Sequence, residues 1–206
     1  MSSQERPSEP LEAARALINR YDPCGDPGQQ EAKEAIGELL ARGSGVLHRS
    51  CTEPGHITAS SWIQSPCGLS VLLCLHRRLN RWLQLGGHVD GESDLVGAAM
   101  REAREESGIA EFDLVTPEVF DLDIHSIPAR SDEPAHHHFD VRFLLRARSS
   151  NLICSSESLD LRWVPMEKIA LLTDEISILR MAEKSRTFFP RVDSDYPSSC
   201  SIGRAQ

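Results

Sequence analysis

Near the start of the chain, apolar residues return every three or four positions. In "PLEAARALINRY" Leu11, Ala14, Leu17 and Ile18 share one side of a helical wheel, and in "PGQQEAKEAIGELLARG" Ala32, Ile36, Leu39 and Leu40 do the same. Each stretch carries a proline near its start and Gly43 follows the second, which is the punctuation of two separate amphipathic helices. The turn-rich "DPCGDPG" joins them. From His56 the period drops to two, and "ITASSWIQ", "LSVLLCLHRR" and "RWLQLGG" read as strands. A helix follows, then "FDLVTPEVFDLDIHSI" and "HHHFDVRFLLRAR" return to strand character, "LDLRWVP" predicts a last strand and "ALLTDEISILRMAEKSR" a last amphipathic helix. This order predicts an α/β (α+β) fold with a mixed sheet, of the kind that packs as an α/β/α sandwich. The expected organisation is a helical extension over residues 1–50, a main domain over 51–190 and a frayed tail over 191–206.

Length and charge narrow the chemistry. At 206 residues the chain exceeds the usual single domain of roughly 100–150 residues, as one full core with an appended segment would. A formal net charge of -9 argues against general binding to nucleic acid or anionic lipid, so a polyphosphate ligand needs local help from a cation. The six cysteines (Cys24, Cys51, Cys67, Cys74, Cys154, Cys200) show neither the close pairs of a zinc site nor the density of a disulfide scaffold, and read as free thiols in a reducing compartment. Residues 1–20 lack the pattern of a signal peptide, and no stretch approaches the ~20 apolar residues of a membrane span. A cytoplasmic location and no membrane partner are expected.

The segment "GGHVDGESDLVGAAMREAREESGI", residues 86–109, concentrates the candidate chemistry. Asp90 and Glu92 suit the positive end of a helix, Ser93 or Asp94 can cap it, and Gly108 sits where a left-handed stop belongs, with Ile109 tucked back. Leu95, Ala98, Ala99 and Ala103 give a narrow face able to press closely on a sheet. Glu102, Glu105 and Glu106, at i, i+3 and i+4, share another face. A solvated stripe relieved by Arg101 and Arg104 is one account, since like charges at this spacing cost only a few tenths of a kcal/mol. The glycine turn just upstream favours another: clustered hard oxygens for Mg²⁺ or Mn²⁺, with the Gly86 carbonyl brought to the same ion.

The segment resembles the Nudix box, G-x5-E-x7-R-E-U-x-E-E-x-G-U, where U is an aliphatic residue. Gly87 matches its first glycine, Arg101 and Glu102 its RE, Glu105 and Glu106 its EE, and Gly108 and Ile109 its end. Two positions depart: the first glutamate falls on Ser93, with Glu92 one residue early, and the first U is the small Ala103. The flanking "GHITAS", "WLQLGGHVDG" and "HFDVRFLL" are similar to a group of bacterial Nudix hydrolases, extending the resemblance over roughly residues 55–185. It implies the Nudix α/β/α sandwich and metal-dependent hydrolysis of a nucleoside diphosphate linked to another moiety. It further implies Mg²⁺ (or Mn²⁺) on Gly86, Glu102, Glu105 and Glu106, Glu105 as catalytic base with Glu157 as the outside candidate, and Arg101 paired with the loop glutamate, here Glu92. Many relatives are dimers, so a homodimer is compatible. The alternative is a Nudix-fold sensor that binds a nucleotide without cleaving it; an isopentenyl diphosphate isomerase ranks lower, because its catalytic cysteine context is not matched. ADP-ribose, dinucleotides, nucleotide sugars and damaged nucleoside triphosphates stay open as substrates.

The run His136, His137, His138 invites a zinc site, but neighbours in a strand point to opposite faces and a third ligand has no obvious source. His136, His138, Asp140 and Arg142 alternate onto one face, read either as a solvent-facing polar surface or as a cleft wall on which His138 meets substrate and Arg142 offers a bidentate phosphate contact. His88, after the double glycine, is a further candidate for the phosphates. Trp82 and Trp163 are expected in the core or at its rim, and Cys67 and Cys74 as small apolar residues.

Overall fold

A computed structural model describes residues 11–130 and 133–188, and these divide into two compact units. The first comprises the described chain up to Ala59, His88–Ala98 and Glu118–Val141; the second comprises Ser60–Gly87, Ala99–Pro117 and the described chain from Arg142. The helices are α1 (Glu12–Arg20), α2 (Pro27–Ala41), α3 (Leu95–Ser107) and α4 (Ile176–Ser185). The strands are β1 (Gly55–Gln64), β2 (Ser70–His76), β3 (Arg81–Leu83), β4 (Leu85–His88), β5 (Phe112–Leu114), β6 (Asp121–Ile127), β7 (His136–Ala147) and β8 (Ser158–Pro165). Hydrogen bonding follows the order β3-β2-β1-β7-β5, with β4 paired to β1, β6 to β7 and β8 to β2. The class is α/β, as the sequence pattern predicts. Among the described residues no helix is long and apolar enough to cross a membrane.

In the first unit, α1 and α2 take the faces their spacing predicts. Leu11, Ala14 and Ile18 are buried from one segment, and Ala32, Ile36, Leu39 and Leu40 from the other. Asp26 caps α2 by accepting from the amides of Gly28 (2.9 Å) and Gln29 (3.2 Å), and Pro27 fills the first helical position, where its missing N–H costs nothing. Lys33 donates to the carbonyls of Asn19 (3.0 Å) and Tyr21 (2.7 Å) at the end of α1, satisfying carbonyls that the helix leaves open. Gln29 is buried and clamps β6: its Nε2 donates to the Leu122 carbonyl (2.8 Å) and its Oε1 accepts from the Leu122 amide (3.1 Å) and from the Tyr21 hydroxyl. The helices expected as an extension are thus fastened to a strand by one amide side chain.

In the second unit the core gathers Ile63, Leu72, Cys74, Leu85, Ala103, Ile109, Phe112, Leu145, Leu161 and Trp163. Trp163 is buried there and donates its indole N–H to the Ser150 carbonyl (2.9 Å), while the half-buried Trp82 lies 4.5 Å beneath the Arg162 guanidinium. The strands β2 and β8 pair antiparallel in register from Ser70↔Pro165 to Leu75↔Asp160.

Three expectations are corrected. The face of β7 read as solvent-facing is buried: Phe139 to Leu145 are all closed from solvent, including Asp140 and Arg142. β7 lies between other strands in the order, and Asp140 finds a partner inside: Thr58 Oγ1 donates to Asp140 Oδ1 at 3.0 Å. Secondly, the last helix begins at Ile176, since Met166–Leu171 forms a short 3-10 turn and Thr173 Oγ1 takes the Glu175 amide (3.2 Å) before α4 starts. Lastly, Cys24, Cys51, Cys74 and Cys154 are free thiols, but Cys67 is disulfide-bonded. Cys200 and the frayed tail expected over 191–206 lie outside the described residues.

Candidate active site

The frame of α3 was legible residue by residue. Asp94, not Ser93, is its cap, accepting from the Gly97 amide at 3.0 Å. Gly108 ends the helix at φ +71, donating to the Arg104 carbonyl (2.9 Å), and Ile109 is buried behind it. Leu95, Ala98, Ala99 and Ala103 are fully buried, and Ser61 on β1 comes close enough to donate its hydroxyl to the Ala99 carbonyl (3.2 Å). Only small side chains permit that approach. Ala103, which departs from the box, belongs to this face.

The close fit sets where the glutamates stand, all in the second unit. Glu106 is buried, and its Oε1 accepts from the Gly86 amide (3.1 Å), where the backbone at φ +154 favours glycine. Glu102 lies over Gly87, where a Cβ would come within 2.7 Å of Oε2. Glu105 is the exposed member, its side chain 61% accessible. Arg101 donates to Glu102 Oε1 at 2.6 Å and lies 3.7 Å from Glu105 Oε2. Two of its own helical neighbours are thus within its reach.

One guanidinium does not neutralise three carboxylates. Burial pushes the Glu106 carboxyl up to about 8 against the pull of the Gly86 amide, and the charges of Glu102, Glu157 and Glu105 add to the rise. Burial also raises Glu102, with Arg101 opposing and Glu105 and Glu157 reinforcing. Glu157 is thus near enough to act on both. Its loop is held by the Glu157 carbonyl accepting from the Arg77 amide (3.0 Å) and by the Glu157 amide donating to Ser155 Oγ (3.3 Å). A site with excess buried anionic oxygen and a glycine cradle fits a hard divalent cation.

The cradle is testable. Gly87→Ala pushes on the far end of a flexible side chain, so we expect stability to change by less than about 1 kcal/mol while the divalent ion needed for half-maximal activity rises roughly tenfold. Titrating the ion in an activity assay, beside a urea melt, checks both.

Of the three residues expected at substrate, Arg142 belongs to the second unit and His88 and His138 to the first. Arg142 is 2% exposed, with Nη1 3.9 Å from Met181 Sδ. His88 and His138, in the first unit, are close neighbours with ring centres 5.3 Å apart. They belong to a histidine cluster that sequence spacing did not show. Among the described residues, the one group of three potential ligand side chains whose donor atoms all lie within 4.8 Å of one another is not the glutamate trio but His56, His136 and His138. His56 is the missing third residue of the zinc reading, supplied by β1, some eighty positions upstream. The period-two rule held, since His136 and His138 share a face; what spacing lacked was the pairing of distant strands.

Comparison with known proteins places the chain. The family model described as NUDIX domain matches residues 55–191, and the chain belongs to this family. A solved hydrolase of the NUDIX family from Clostridium perfringens is 26% identical over 64% of this chain and 97% of its own, with a TM-score of 0.50. A MutT protein from Methanosarcina mazei Go1, 20% identical, shares the fold over 66% of this chain and 95% of its own at a TM-score of 0.51. The Nudix hydrolase RenU from M. smegmatis does so at 19% identity over 69% and 96%, with a TM-score of 0.50. No curated protein matches the sequence.

Proposed function

We propose that the protein hydrolyses the diphosphate linkage of a nucleoside diphosphate joined to another moiety, using Mg²⁺ or Mn²⁺ held by Glu102, Glu105, Glu106 and the Gly86 carbonyl. The observation that carries this reading is the buried Glu106 carboxylate, anchored on the Gly86 amide beside two further glutamates with one arginine among them. A bound divalent ion supplies charge neutralisation for the diphosphate and lowers the pKa of water. The chain's own residues divide the remaining work. Glu106 and Glu102 are held in place by Gly86 and Arg101, and so are positioning and ligand groups. Glu105, exposed and bound only loosely by Arg101, is free to take a proton from attacking water. Arg101 fixes the direction of Glu102 and offsets part of the anionic charge while the site is empty of substrate.

The experiment is a panel of diphosphates with Mg²⁺ or Mn²⁺, run beside Glu105→Gln. We expect turnover of at least one compound and a drop in kcat of roughly 10²–10⁴-fold in the variant, with KM little changed. Unchanged kcat moves the base to Glu157. Binding of nucleotides without turnover of any of them replaces hydrolysis by the sensor role.

A further inference from the structure

The first unit contains a second set of potential ligands with a different chemistry. Ring centres of His56, His136 and His138 are 4.8 to 5.1 Å apart, with His88 5.1 Å from His56 and His125 5.4 Å from His138. We propose that His56, His136 and His138 form a binding site for a divalent transition-metal ion of the zinc class, distinct in its ligands from the glutamate site.

The tautomers are the first support. His56 Nδ1 lies 3.0 Å from the Cys51 carbonyl and His136 Nδ1 lies 2.9 Å from the Pro134 carbonyl. A carbonyl only accepts, so each Nδ1 carries the proton and each Nε2 keeps a lone pair. That is the arrangement by which backbone carbonyls orient metal-binding histidines. The second support is what those lone pairs lack. Both Nε2 atoms are buried and have no hydrogen-bond partner among the described residues, and the two residues are 0% and 3% exposed. A desolvated lone pair without a partner costs on the order of 1–3 kcal/mol, and two beside each other call for a shared acceptor of electron pairs.

The donor type selects the ion. Imidazole suits zinc, copper, nickel and iron, whereas Mg²⁺ and Mn²⁺ prefer the oxygens found elsewhere in this chain. Three histidines with a fourth position for water is an established zinc geometry. With Zn–N bonds of about 2.0–2.1 Å, tetrahedral nitrogens stand roughly 3.4 Å apart. The present donors lie within 4.8 Å, a gap that small side-chain rotations close. Glu133, its Oε1 3.7 Å from His136 Nε2, adds negative charge at the edge.

The test uses the full chain without a histidine tag, loaded with Zn²⁺, dialysed, and measured for bound metal by mass spectrometry. One equivalent is expected in the unaltered protein and in the triple variant Glu102→Gln, Glu105→Gln, Glu106→Gln. His56→Gln and His136→Gln should each weaken binding at least tenfold. Zinc absorption spectroscopy on the unaltered protein, which needs no variant to fold, should show three imidazole nitrogens. Absence of retained zinc, retention unaffected by either histidine change, loss in the glutamate variant, or a first shell of oxygen or sulfur would each overturn the site.

Discussion

Replacing Glu106 by Gln should yield a protein that is more stable at pH 8 without metal than the wild type, and nearly inactive. Both effects come from one buried carboxylate. Its proton is held more tightly in the folded state, about 8 against an ordinary 4.5. The sign follows: in metal-free protein the stabilising contribution is fully present below about 4.5 and is lost as pH rises through about 8. At ~1.4 kcal/mol per unit, the loss across that window is a few kcal/mol. The amide of Gln keeps an oxygen for the Gly86 N–H and carries no charge, so the fall in stability that comes from this position should be absent in the variant. Activity moves the other way, since an amide is a poor substitute for a carboxylate ligand. Several kcal/mol of transition-state stabilisation, roughly 10³-fold in kcat/KM, should disappear. Chemical denaturation in chelator across pH, with and without Mn²⁺, measures the first effect and steady-state kinetics the second. A wild-type stability that does not fall over this range would remove the account of Glu106 given above.

Gly55→Ala should be the most damaging single-methyl change among the glycines described. The backbone there is at φ +148, and a Cβ would meet the His137 carbonyl oxygen at 1.9 Å and its carbonyl carbon at 2.7 Å. Unlike the Glu102 carboxylate over Gly87, these are main-chain atoms of a neighbouring strand, tied to this turn by the His137 amide donating to the Pro54 carbonyl (3.1 Å). Neither partner can step aside cheaply, so a loss of roughly 4 kcal/mol or more is expected. Urea unfolding of the soluble fraction measures it, and a loss below about 1 kcal/mol would show that the two segments separate easily.

What the sequence disclosed and what it hid divides along physical lines. Local order was open to inspection: the faces of α1 and α2, the small-residue face of α3, the stop at Gly108, and the gathering of Glu102, Glu105 and Glu106 all depend on neighbours within one helical turn. Choices settled by tertiary packing were not. Arg142 alternates correctly with its neighbours, yet the strand carrying it is covered on both sides, and a charged residue in a period-two pattern gives no sign of that. β1 is buried throughout despite Thr58, Ser60, Ser61 and Gln64, which a polar–apolar pattern assigns to water. His56 joins His136 only because β1 and β7 run together.

The clamp of Gln29 on Leu122 bears on how such a protein is handled. The match to the NUDIX domain begins at residue 55, and a chain cut there would lose the amide that occupies both main-chain groups of Leu122. An exposed strand with open donors and acceptors is an invitation to stick to its own kind. Shortening this protein to the portion it shares with its relatives therefore carries a risk of precipitation that the shared portion alone would not reveal.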